Sequence, residues 1–209
     1  MLHILDHAAD WREDDRLCRM FAARKRVFID LLKWQVPVVD DCYERDQFDA
    51  PGATYLVLTD PSGAHLASAR LLPTMRPHIL GDLYPHLCET PPPFGPTVYE
   101  ITRFCLDRRL RAPARREARN RLVSAIAEFG VWRGVTTYTG VAEIGWLQQI
   151  LAFGWRCRPL GLPVAERGAM LCALAIEIDA ATPARLRDAG IYRPVLVDPV
   201  DTGERRHAA

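Results

Sequence analysis

The chain contains 209 residues, of which 49% are hydrophobic and 25% charged, and its formal net charge at pH 7 is +1. These values are typical of a globular protein that buries its own core. The small net charge gives no long-range attraction to nucleic acid or to an anionic membrane, and no apolar run is long enough to span a bilayer. We therefore expect a globular protein with neither a nucleic-acid partner nor a membrane-inserted segment.

Six cysteines are spread along the chain and form no C-x-x-C pair. Their spacing does not fit a zinc ribbon, and scattered cysteines in a chain of this size are typical of a reducing compartment. The first fifteen residues, MLHILDHAADWREDD, have neither a basic start nor a long apolar stretch, so they do not resemble a signal peptide. These features together predict a cytoplasmic protein.

The first half of the chain predicts one helix and one hairpin. Residues 10–32 carry apolar side chains at three-to-four spacing, which predicts an amphipathic helix. Residues 34–53 are rich in Pro and Asp, and we expect a connection too polar to enter the core. Residues 54–60 and 64–73 are apolar segments on either side of a Pro-Ser-Gly turn, which is typical of a β-hairpin.

The second half alternates between strand and helix patterns after a Pro- and Gly-rich loop at 74–96. The predicted strands are 97–107, 135–142 and 168–179, and the predicted helices are 114–134, 144–154 and 182–190. Thr182 is the expected N-cap of the last helix, with Pro183 in the first helical position. This order predicts a single α/β domain of three layers, with a mixed central sheet and helices on its faces. We expect it to span residues 1–197, followed by a polar tail at 198–209.

An acidic segment, residues 44–49, is the most unusual feature of the sequence. Its six residues, ERDQFD, carry three carboxylates, and Asp40 and Asp41 lie just upstream. A calcium loop would need alternating acidic ligands and a glycine, and the histidines and cysteines have no ligand spacing either. We therefore expect no metal. The remaining alternatives are a solvated turn, pairing with the protein's own arginines, and a cationic substrate.

Charged residues interrupt two apolar strands. Arg70 lies within LASARLLP, and Glu100 and Arg103 lie within TVYEITRFCLD. An unpaired charge in such a strand is costly, so we expect the acidic segment to supply partners; the alternative for Arg70 is an edge strand facing water. Glu100 and Arg103 point to opposite faces of a regular strand. Both reach one site only if a bulge lies near Thr102; otherwise Arg103 pairs with the acidic segment and Glu100 has another role.

Four motifs occur in order along the chain. They are R-x-x-x-F-x-x-x-x-x-W at Arg24, Phe28 and Trp34, E-x-D-x-x-D at 44–49, S-x-R-L-L-P-T at 68–74, and E-I-x-R-F at 100–104. This pattern closely resembles the acyl-homoserine-lactone synthases, the autoinducer synthases of bacterial quorum sensing, over about residues 1–195. The interval from Trp34 to Glu44 is about one residue longer than usual in the family, and Tyr84 stands where phenylalanine is common. The resemblance implies a fold like that of the GNAT acyltransferases.

The resemblance also implies the reaction. Its substrates are S-adenosylmethionine and an acyl group carried as a thioester on acyl carrier protein or coenzyme A, and its products are N-acyl-homoserine lactone and methylthioadenosine. The amine of S-adenosylmethionine attacks the thioester, its carboxylate closes the lactone ring, and the sulfonium leaves. S-adenosylmethionine is thus a substrate, no true cofactor is expected, and positioning replaces a covalent intermediate.

The family motifs assign roles to residues of this chain. The implied catalytic group is Glu44, Asp46, Asp49, Arg70, Glu100 and Arg103. The implied residues for S-adenosylmethionine binding are Arg24, Phe28, Trp34 and Asp46. Asp46 and Asp49 anchor the substrate cation either directly or by holding Arg24 and Arg70, while the two aromatic rings cover the adenosyl and sulfonium part. Glu44 and Glu100 are the candidate general bases.

The second half supplies the candidates for the acyl pocket and for donor docking. The acyl-pocket candidates are Ile101, Phe104, Gly140, Val141, Trp146, Leu147 and Leu151, for each of which plain core is the alternative. Gly140 falls where family members that prefer 3-oxo chains tend to carry threonine, which favours an unsubstituted or unusual acyl group. The docking candidates, for acyl carrier protein or coenzyme A, are Arg109, Arg115, Arg116 and Arg119. An exposed basic helix is their alternative.

Two other functions are compatible with the sequence. One is a coenzyme-A-dependent N-acyltransferase of the GNAT type, and the other is a non-catalytic sensor of acyl thioesters. GNAT enzymes typically have a glycine-rich loop that opens a helix on the pyrophosphate, whereas the corresponding stretch here, RREARNRLVSA, has no glycine. The synthase is therefore the favoured prediction.

Overall fold

The computed structural model describes residues 1–6, 10–166 and 168–195; the predicted tail at 198–209 lies outside them. Its strands are β1 (Leu2–Asp6), β2 (Val38–Val39), β3 (Tyr43–Glu44), β4 (Thr54–Thr59), β5 (His65–Pro73), β6 (Val98–Leu106), β7 (Thr137–Glu143), β8 (Arg156–Pro159), β9 (Val164–Glu166) and β10 (Ala169–Glu177). Its α-helices are α1 (Asp15–Arg24), α2 (Ile79–Leu83), α3 (Ala112–Arg133), α4 (Ile144–Leu151) and α5 (Thr182–Asp188). A π-helical segment, Lys25–Leu31, continues α1.

Eight strands form one mixed sheet in the order β1-β4-β5-β6-β7-β10-β8, with β9 paired to β10. The pairs β1–β4 and β7–β10 are antiparallel, whereas β6 and β7 run parallel from Val98–Thr137 to Glu100–Thr139. Strands β2 and β3 form a separate two-stranded ribbon. The predicted α/β fold with a mixed central sheet is confirmed.

The chain divides into two compact units. The first contains the described residues of Met1–Arg70 and Arg103–Ala125, together with 194–195. In this unit α1 begins where the carboxylate of Asp14 accepts the backbone N–H of Arg16, an ordinary N-cap. Its Phe21 packs edge-on against Tyr55 of β4, with ring centroids 5.8 Å apart. This contact anchors α1 on the sheet.

The expectation that residues 34–53 stay out of the core was wrong. Within this segment Glu44 has no exposed surface, and Phe48 and Asp49 are each only 4% exposed. The ribbon β2–β3 lies there as well. The sequence pattern misled because burial of carboxylates depends on partners that come from distant parts of the chain.

The second unit contains Leu71–Thr102 and Ile126–Arg193. Its core includes a cluster formed by Leu80, Leu87, Leu160, Ala173 and Ala175. The last helix, α5, differs from its prediction in one detail, because Ala181 and not Thr182 is the N-cap. The hydroxyl of Thr182 instead accepts the backbone N–H of Asp179. Within the described ranges, no helix is both long enough and apolar enough to cross a membrane.

Candidate active site

Five elements of the first unit bring three arginines and three carboxylates together. Helix α1 supplies Arg24 at its last residue, and the ribbon β2–β3 leads into the acidic segment. Strands β5 and β6 supply the other two arginines. The members of this network are Arg24, Arg70, Arg103, Glu44, Asp46 and Asp49. We refer to these six residues as the ion network.

Arg24 is the most enclosed cation of the ion network. Its side chain is 1% exposed and contacts two fully buried carboxylates. Its Nε donates to Glu44, and its two terminal nitrogens each donate to one oxygen of Asp49 at 2.9 Å. The Asp49 contact is the bidentate geometry that guanidinium and carboxylate favour. Arg24 therefore fixes the acidic segment to α1.

Arg70 has the partner that the sequence led us to expect. Its side chain is buried, and it donates to both oxygens of Asp46 at 2.6 and 3.1 Å. It also lies 2.9 Å from an oxygen of Asp49. The alternative of an edge-strand arginine facing water is therefore wrong. The backbone N–H of Asp46 donates to Asp49, which ties the two acidic residues to each other.

Arg103 reaches the ion network because β6 is irregular at this residue. Its φ of 50° lies in the left-handed region, which costs a non-glycine residue about 1–2 kcal/mol. Its guanidinium donates to Glu44 at 3.0 Å and to Asp46 at 2.6 Å. The side chain is 9% exposed, and that of Asp46 is 5% exposed. These two residues form the most accessible edge of the ion network.

Three positive and three negative charges balance within the ion network, and this balance sets the pKa values. Burial raises the pKa of Asp46 and of Asp49, but the neighbouring guanidinium groups outweigh it and hold both pKa values below the ordinary range. Burial lowers the pKa of Arg24, whereas Asp49 and Glu44 raise it to a net value well above normal. Arg24, Asp46 and Asp49 therefore keep their charge at neutral pH.

Acidification should destabilise the fold through these carboxylates. Because the pKa values of Asp46 and Asp49 are lower in the native state than in the unfolded chain, their contribution is complete above about pH 4 and is lost as the pH falls below it. We expect the free energy of unfolding of Asp49→Asn to fall less between pH 5 and pH 3 than that of the wild type. Urea unfolding across this range measures the two slopes.

His65 is a second acid-sensitive group, and it is present in both proteins of that experiment. Burial lowers its pKa to about 4, so it also reduces stability as the pH falls from about 6.5 to 4. It does so equally in both proteins and cancels from the difference. Equal slopes would mean that Asp49 does not carry the acid sensitivity.

Phe28 and Trp34 stack on each other beside the ion network. Their ring centroids are 4.7 Å apart and their planes differ by 13°. The guanidinium carbon of Arg103 lies 5.7 Å from the Phe28 ring and 5.9 Å from the Trp34 ring, within cation–π range. Phe28 is buried in a cluster with Ala23, Val27 and Cys105. It therefore supports Trp34 and does not itself face solvent.

Trp34 lines a cavity of about 590 Å³. The lining residues are Ile29, Asp30, Lys33, Trp34, Gln35, Val36 and Pro37. This volume lies within the range of small-molecule sites. All of the lining residues lie within 29–37, none of them belongs to the ion network, and no sequence motif marked those other than Trp34.

Glu100 has a structural contact of its own in the second unit. It is completely buried, and its two carboxylate oxygens accept the backbone N–H groups of Ile79 and Leu80 at 2.7 and 2.9 Å. These groups belong to the first turn of α2, whose N–H donors lack partners within the helix. The second alternative left open by the sequence is the observed one: Arg103 pairs with the acidic segment, while Glu100 caps α2. Its role as a base remains a prediction.

The acyl-pocket candidates occupy varied environments. Leu147 is buried, Trp146 packs edge-on against Phe153, and Leu151 is 42% exposed. Val141 packs against the core cluster of the second unit, and Ile101 and Phe104 are half-buried in β6. Gly140 is buried, and a Cβ atom there would lie 3.2 Å from the carbonyl oxygen of Ile101. The acyl-pocket assignment stays a prediction for all seven residues.

Three of the four docking candidates have intramolecular contacts. Arg109 binds Asp107, Arg115 donates to the carbonyls of Leu106 and Asp107, and Arg119 donates to the side chain of Asn120. Arg116 is exposed near the start of α3. Docking by these residues remains a prediction.

Tyr55 is a member of the site that the sequence did not reveal. Its hydroxyl donates to Asp49 at 3.0 Å, and the ring lies within β4. A tyrosine in an apolar strand gives no signal that distinguishes this role from core packing. The tyrosine adds a hydrogen bond to a carboxylate that Arg24, Arg70 and the backbone N–H of Asp46 also contact.

The α/β fold is one that acyltransferase-type proteins share. The putative N-acetyltransferase from Lactobacillus plantarum shares the fold with a TM-score of 0.54 and 19% identity, over 85% of this chain and 99% of that one. The sequence profile of the family described as autoinducer synthase matches residues 9–186. The chain belongs to the autoinducer synthase family, and the resemblance seen in its motifs is confirmed.

Curated relatives and solved structures agree with this membership. The acyl-homoserine-lactone synthase of Rhizobium etli is 35% identical over 184 residues, 83% of either chain. That of Ralstonia solanacearum is 33% identical over 170 residues, 78% of this chain and 82% of its own. The solved structure of the CoA-dependent acyl-homoserine lactone synthase BjaI, with SAM and isopentyl-CoA, is 25% identical with a TM-score of 0.81 over 100% of this chain and 99% of its own.

Proposed function

We propose that this acyl-homoserine-lactone synthase uses the ion network to position S-adenosylmethionine in the cavity beside Trp34. The observation that carries the proposal is the accessible Asp46–Arg103 pair, which is joined at 2.6 Å at the edge of a buried, charge-balanced network. An adjacent carboxylate and guanidinium are complementary to the ammonium and carboxylate of an amino acid. The methionyl end of S-adenosylmethionine is such a zwitterion.

Three other members of the ion network act as positioning residues. Arg24, Arg70 and Asp49 are almost fully buried and have their charges satisfied by one another. They hold Asp46 in place and do not bind the substrate directly. Of the two roles that the sequence left open, this proposal gives Asp46 the direct one and Asp49 the indirect one, in which it acts only by holding arginines. Trp34 then faces the sulfonium and adenosyl part.

The reaction follows from this placement in two steps. The amine nitrogen, once deprotonated, attacks the thioester carbonyl carbon; the carbon–sulfur bond breaks, and the thiol leaves with a proton. A carboxylate oxygen of the same substrate then attacks the carbon next to the sulfonium, closes the lactone and releases neutral methylthioadenosine. The positioning of one substrate relative to the other supplies the main rate acceleration.

The proton of the amine leaves through Glu44 or Glu100 in this proposal. Both carboxylates already accept N–H donors, Glu44 from Arg24 and Arg103 and Glu100 from α2. A carboxylate oxygen has two lone pairs, so either residue retains capacity to accept a proton through one water molecule.

The proposal also covers the carrier of the acyl group, the bounds of the synthase domain and the cellular compartment. The acyl group arrives on coenzyme A or on acyl carrier protein, and the synthase domain occupies residues 1–197. A cytoplasmic location is supported by six free cysteines, since thiols persist in a reducing compartment.

Mass spectrometry of organic extracts from cells that express the chain tests the function. A scan for precursors of the homoserine-lactone fragment is expected to show one dominant lactone, whose mass identifies the acyl group. Because a host can lack an unusual donor, purified protein is then assayed for methylthioadenosine release with a panel of acyl thioesters on both carriers. Absence of release across the panel, combined with acetylation of simple amines, would favour the GNAT alternative.

Replacement of Trp34 by alanine tests the assigned cavity. Loss of a cation–π contact worth about 0.5–2 kcal/mol is expected to raise the KM for S-adenosylmethionine by about tenfold and to leave the donor KM unchanged. Initial rates at saturating donor measure it. Trp132→Ala is the matched control, because Trp132 is 50% exposed and contacts Phe129 on α3. An unchanged KM in Trp34→Ala would place the substrate elsewhere.

A further inference from the structure

A second cavity, of about 240 Å³, lies in the first unit and has no part in the proposed reaction. Its lining residues are Arg19, Ala22, Arg26, Ala64, His65 and Arg109. None of them belongs to the ion network. The volume is below the usual range for drug-sized ligands, so the cavity suits a compact group and not a whole cofactor.

Positive charge predominates around this cavity. Asp107 is the buried counter-ion: it accepts from Arg109 at 2.7 Å and lies 4.0 Å from Arg26. Arg19 lies 3.7 Å from Asp15, but that carboxylate is 89% exposed and therefore well screened. Two guanidinium groups thus share one buried carboxylate, while the third, that of Arg19, donates to the carbonyl of Gly63 at 3.0 Å. All three arginine side chains retain exposed surface, between 37% and 66%, so that a ligand from solvent can reach them.

His65 gives a second, independent indication of a ligand. It is 3% exposed, and its Nε2 lies 2.9 Å from the hydroxyl of Ser68. Its Nδ1 is buried and has no hydrogen-bond partner among the residues that the structure describes. A buried polar atom without a partner costs free energy. His65 is one of the residues that line the cavity, so a ligand with oxygen atoms there lies next to this ring.

We propose that this cavity binds a phosphate monoester through Arg19, Arg26 and Arg109, with the ring of His65 lining the site. Arginine forks match phosphate oxygens in geometry and charge. The inference rests on the proposed function in one respect: the 3′-phosphate of an acyl-coenzyme A donor is one source of the group, and a free phosphate is the other.

The position of the cavity favours the donor as the source. His65 begins β5, and Arg70 of the ion network lies five residues further along the same strand. At about 3.3 Å per residue this corresponds to about 17 Å. A donor whose phosphate lies at His65 must carry its thioester on a long extended arm, and the pantetheine chain of coenzyme A is such an arm.

Direct binding tests the site without any turnover. Isothermal titration of the full chain with adenosine 3′,5′-bisphosphate is expected to show binding that Arg26→Gln weakens by about tenfold, the effect of losing one charge-assisted hydrogen bond. Arg108→Gln is the matched control, since this exposed arginine next to Arg109 does not line the cavity, and it should bind as the wild type does. Inorganic phosphate binding as tightly as the bisphosphate would assign the site to free phosphate.

Steady-state kinetics test the link to the donor. Arg26→Gln is expected to raise the KM for an acyl-coenzyme A by about tenfold, without changing the KM for the same acyl group on dephospho-coenzyme A or for S-adenosylmethionine. Absence of lactone with every donor would count against the proposed function. The titration would still show whether the cavity binds a phosphate monoester. Lactone formation with no bisphosphate binding, or with equal effects of Arg26→Gln and Arg108→Gln, would overturn the phosphate site.

Discussion

Replacing Arg24 with alanine is expected to lower the free energy of unfolding by about 3–5 kcal/mol, the usual cost of removing one partner from a buried ion pair. The reason is the environment of its partners. Glu44 and Asp49 have essentially no exposed side-chain surface, so water cannot replace the guanidinium. Arg70 and Arg103 would remain, leaving three carboxylates to share two positive charges. Urea unfolding followed by circular dichroism gives the free energy.

Arg12→Ala provides the matched control. Arg12 makes a 2.6 Å ion pair with Asp40, but both side chains are 56% exposed. Such a surface pair contributes about 0–1 kcal/mol, so its loss should hardly move the unfolding midpoint. If Arg24→Ala were as stable as Arg12→Ala, the ion network would contribute little to the fold. Because both arginines make short ion pairs, the difference in unfolding free energy between the two variants measures the effect of burial.

The sequence predicted the charged residues of this site that lie in apolar strands, where an unpaired charge costs free energy. Arg70 and Arg103 stand in apolar strands, and this favoured carboxylate partners over the alternative of an edge-strand Arg70 facing water. The acidic segment at 44–49 was the source assigned to them, although residues 10–15 also hold four carboxylates. Strands β4, β5, β6, β7 and β10 and helices α3 and α4 followed from hydrophobic period and from turn residues. In each of these elements, the hydrophobic pattern of the local sequence agrees with the burial of its side chains in the fold.

The rest depended on contacts between residues that are far apart in the chain. Arg103 and Glu44 are separated by 59 positions, and no local rule states which arginine meets which carboxylate. The left-handed φ of Arg103 is likewise set by that pairing, since arginine has no intrinsic preference for it. Strand β1 was missed for a similar reason: its five residues are stabilised by antiparallel pairing with β4. The ribbon β2–β3 lies within a segment whose composition is polar.

The residues of the ion network differ in side-chain exposure, and this difference separates those that stabilise the fold from those that position the substrate. Arg24, Glu44 and Asp49 lie at the buried end, where each charge is needed to balance another. Asp46 and Arg103 lie at the edge, with 5% and 9% of their side chains exposed. Substitutions at the buried end should therefore affect folding first. Substitutions at the edge should affect substrate positioning first.

Asp46→Asn is accordingly expected to lower kcat/KM by at least about a hundredfold, the scale of loss when a reacting group is displaced by about 1 Å. Asparagine keeps the shape of the side chain but presents an amide NH₂ where Arg70 and Arg103 need an acceptor. The pair of opposite charges that would receive the amino-acid end of S-adenosylmethionine is then lost. The fold should survive, because the lost hydrogen bonds involve charged groups worth about 1.5–3 kcal/mol.

Asp40→Asn is the control that makes this result specific. Asp40 lies in the same acidic region of the sequence, but it is exposed and pairs only at the surface with Arg12. Methylthioadenosine release and lactone formation, measured with one donor at several S-adenosylmethionine concentrations, should match the wild type in this variant. Asp46→Asn should lose both signals while its unfolding transition remains cooperative. Turnover within threefold of the wild type in folded Asp46→Asn would remove Asp46 from the reaction, because a positioning carboxylate of this kind cannot lose its charge without consequence.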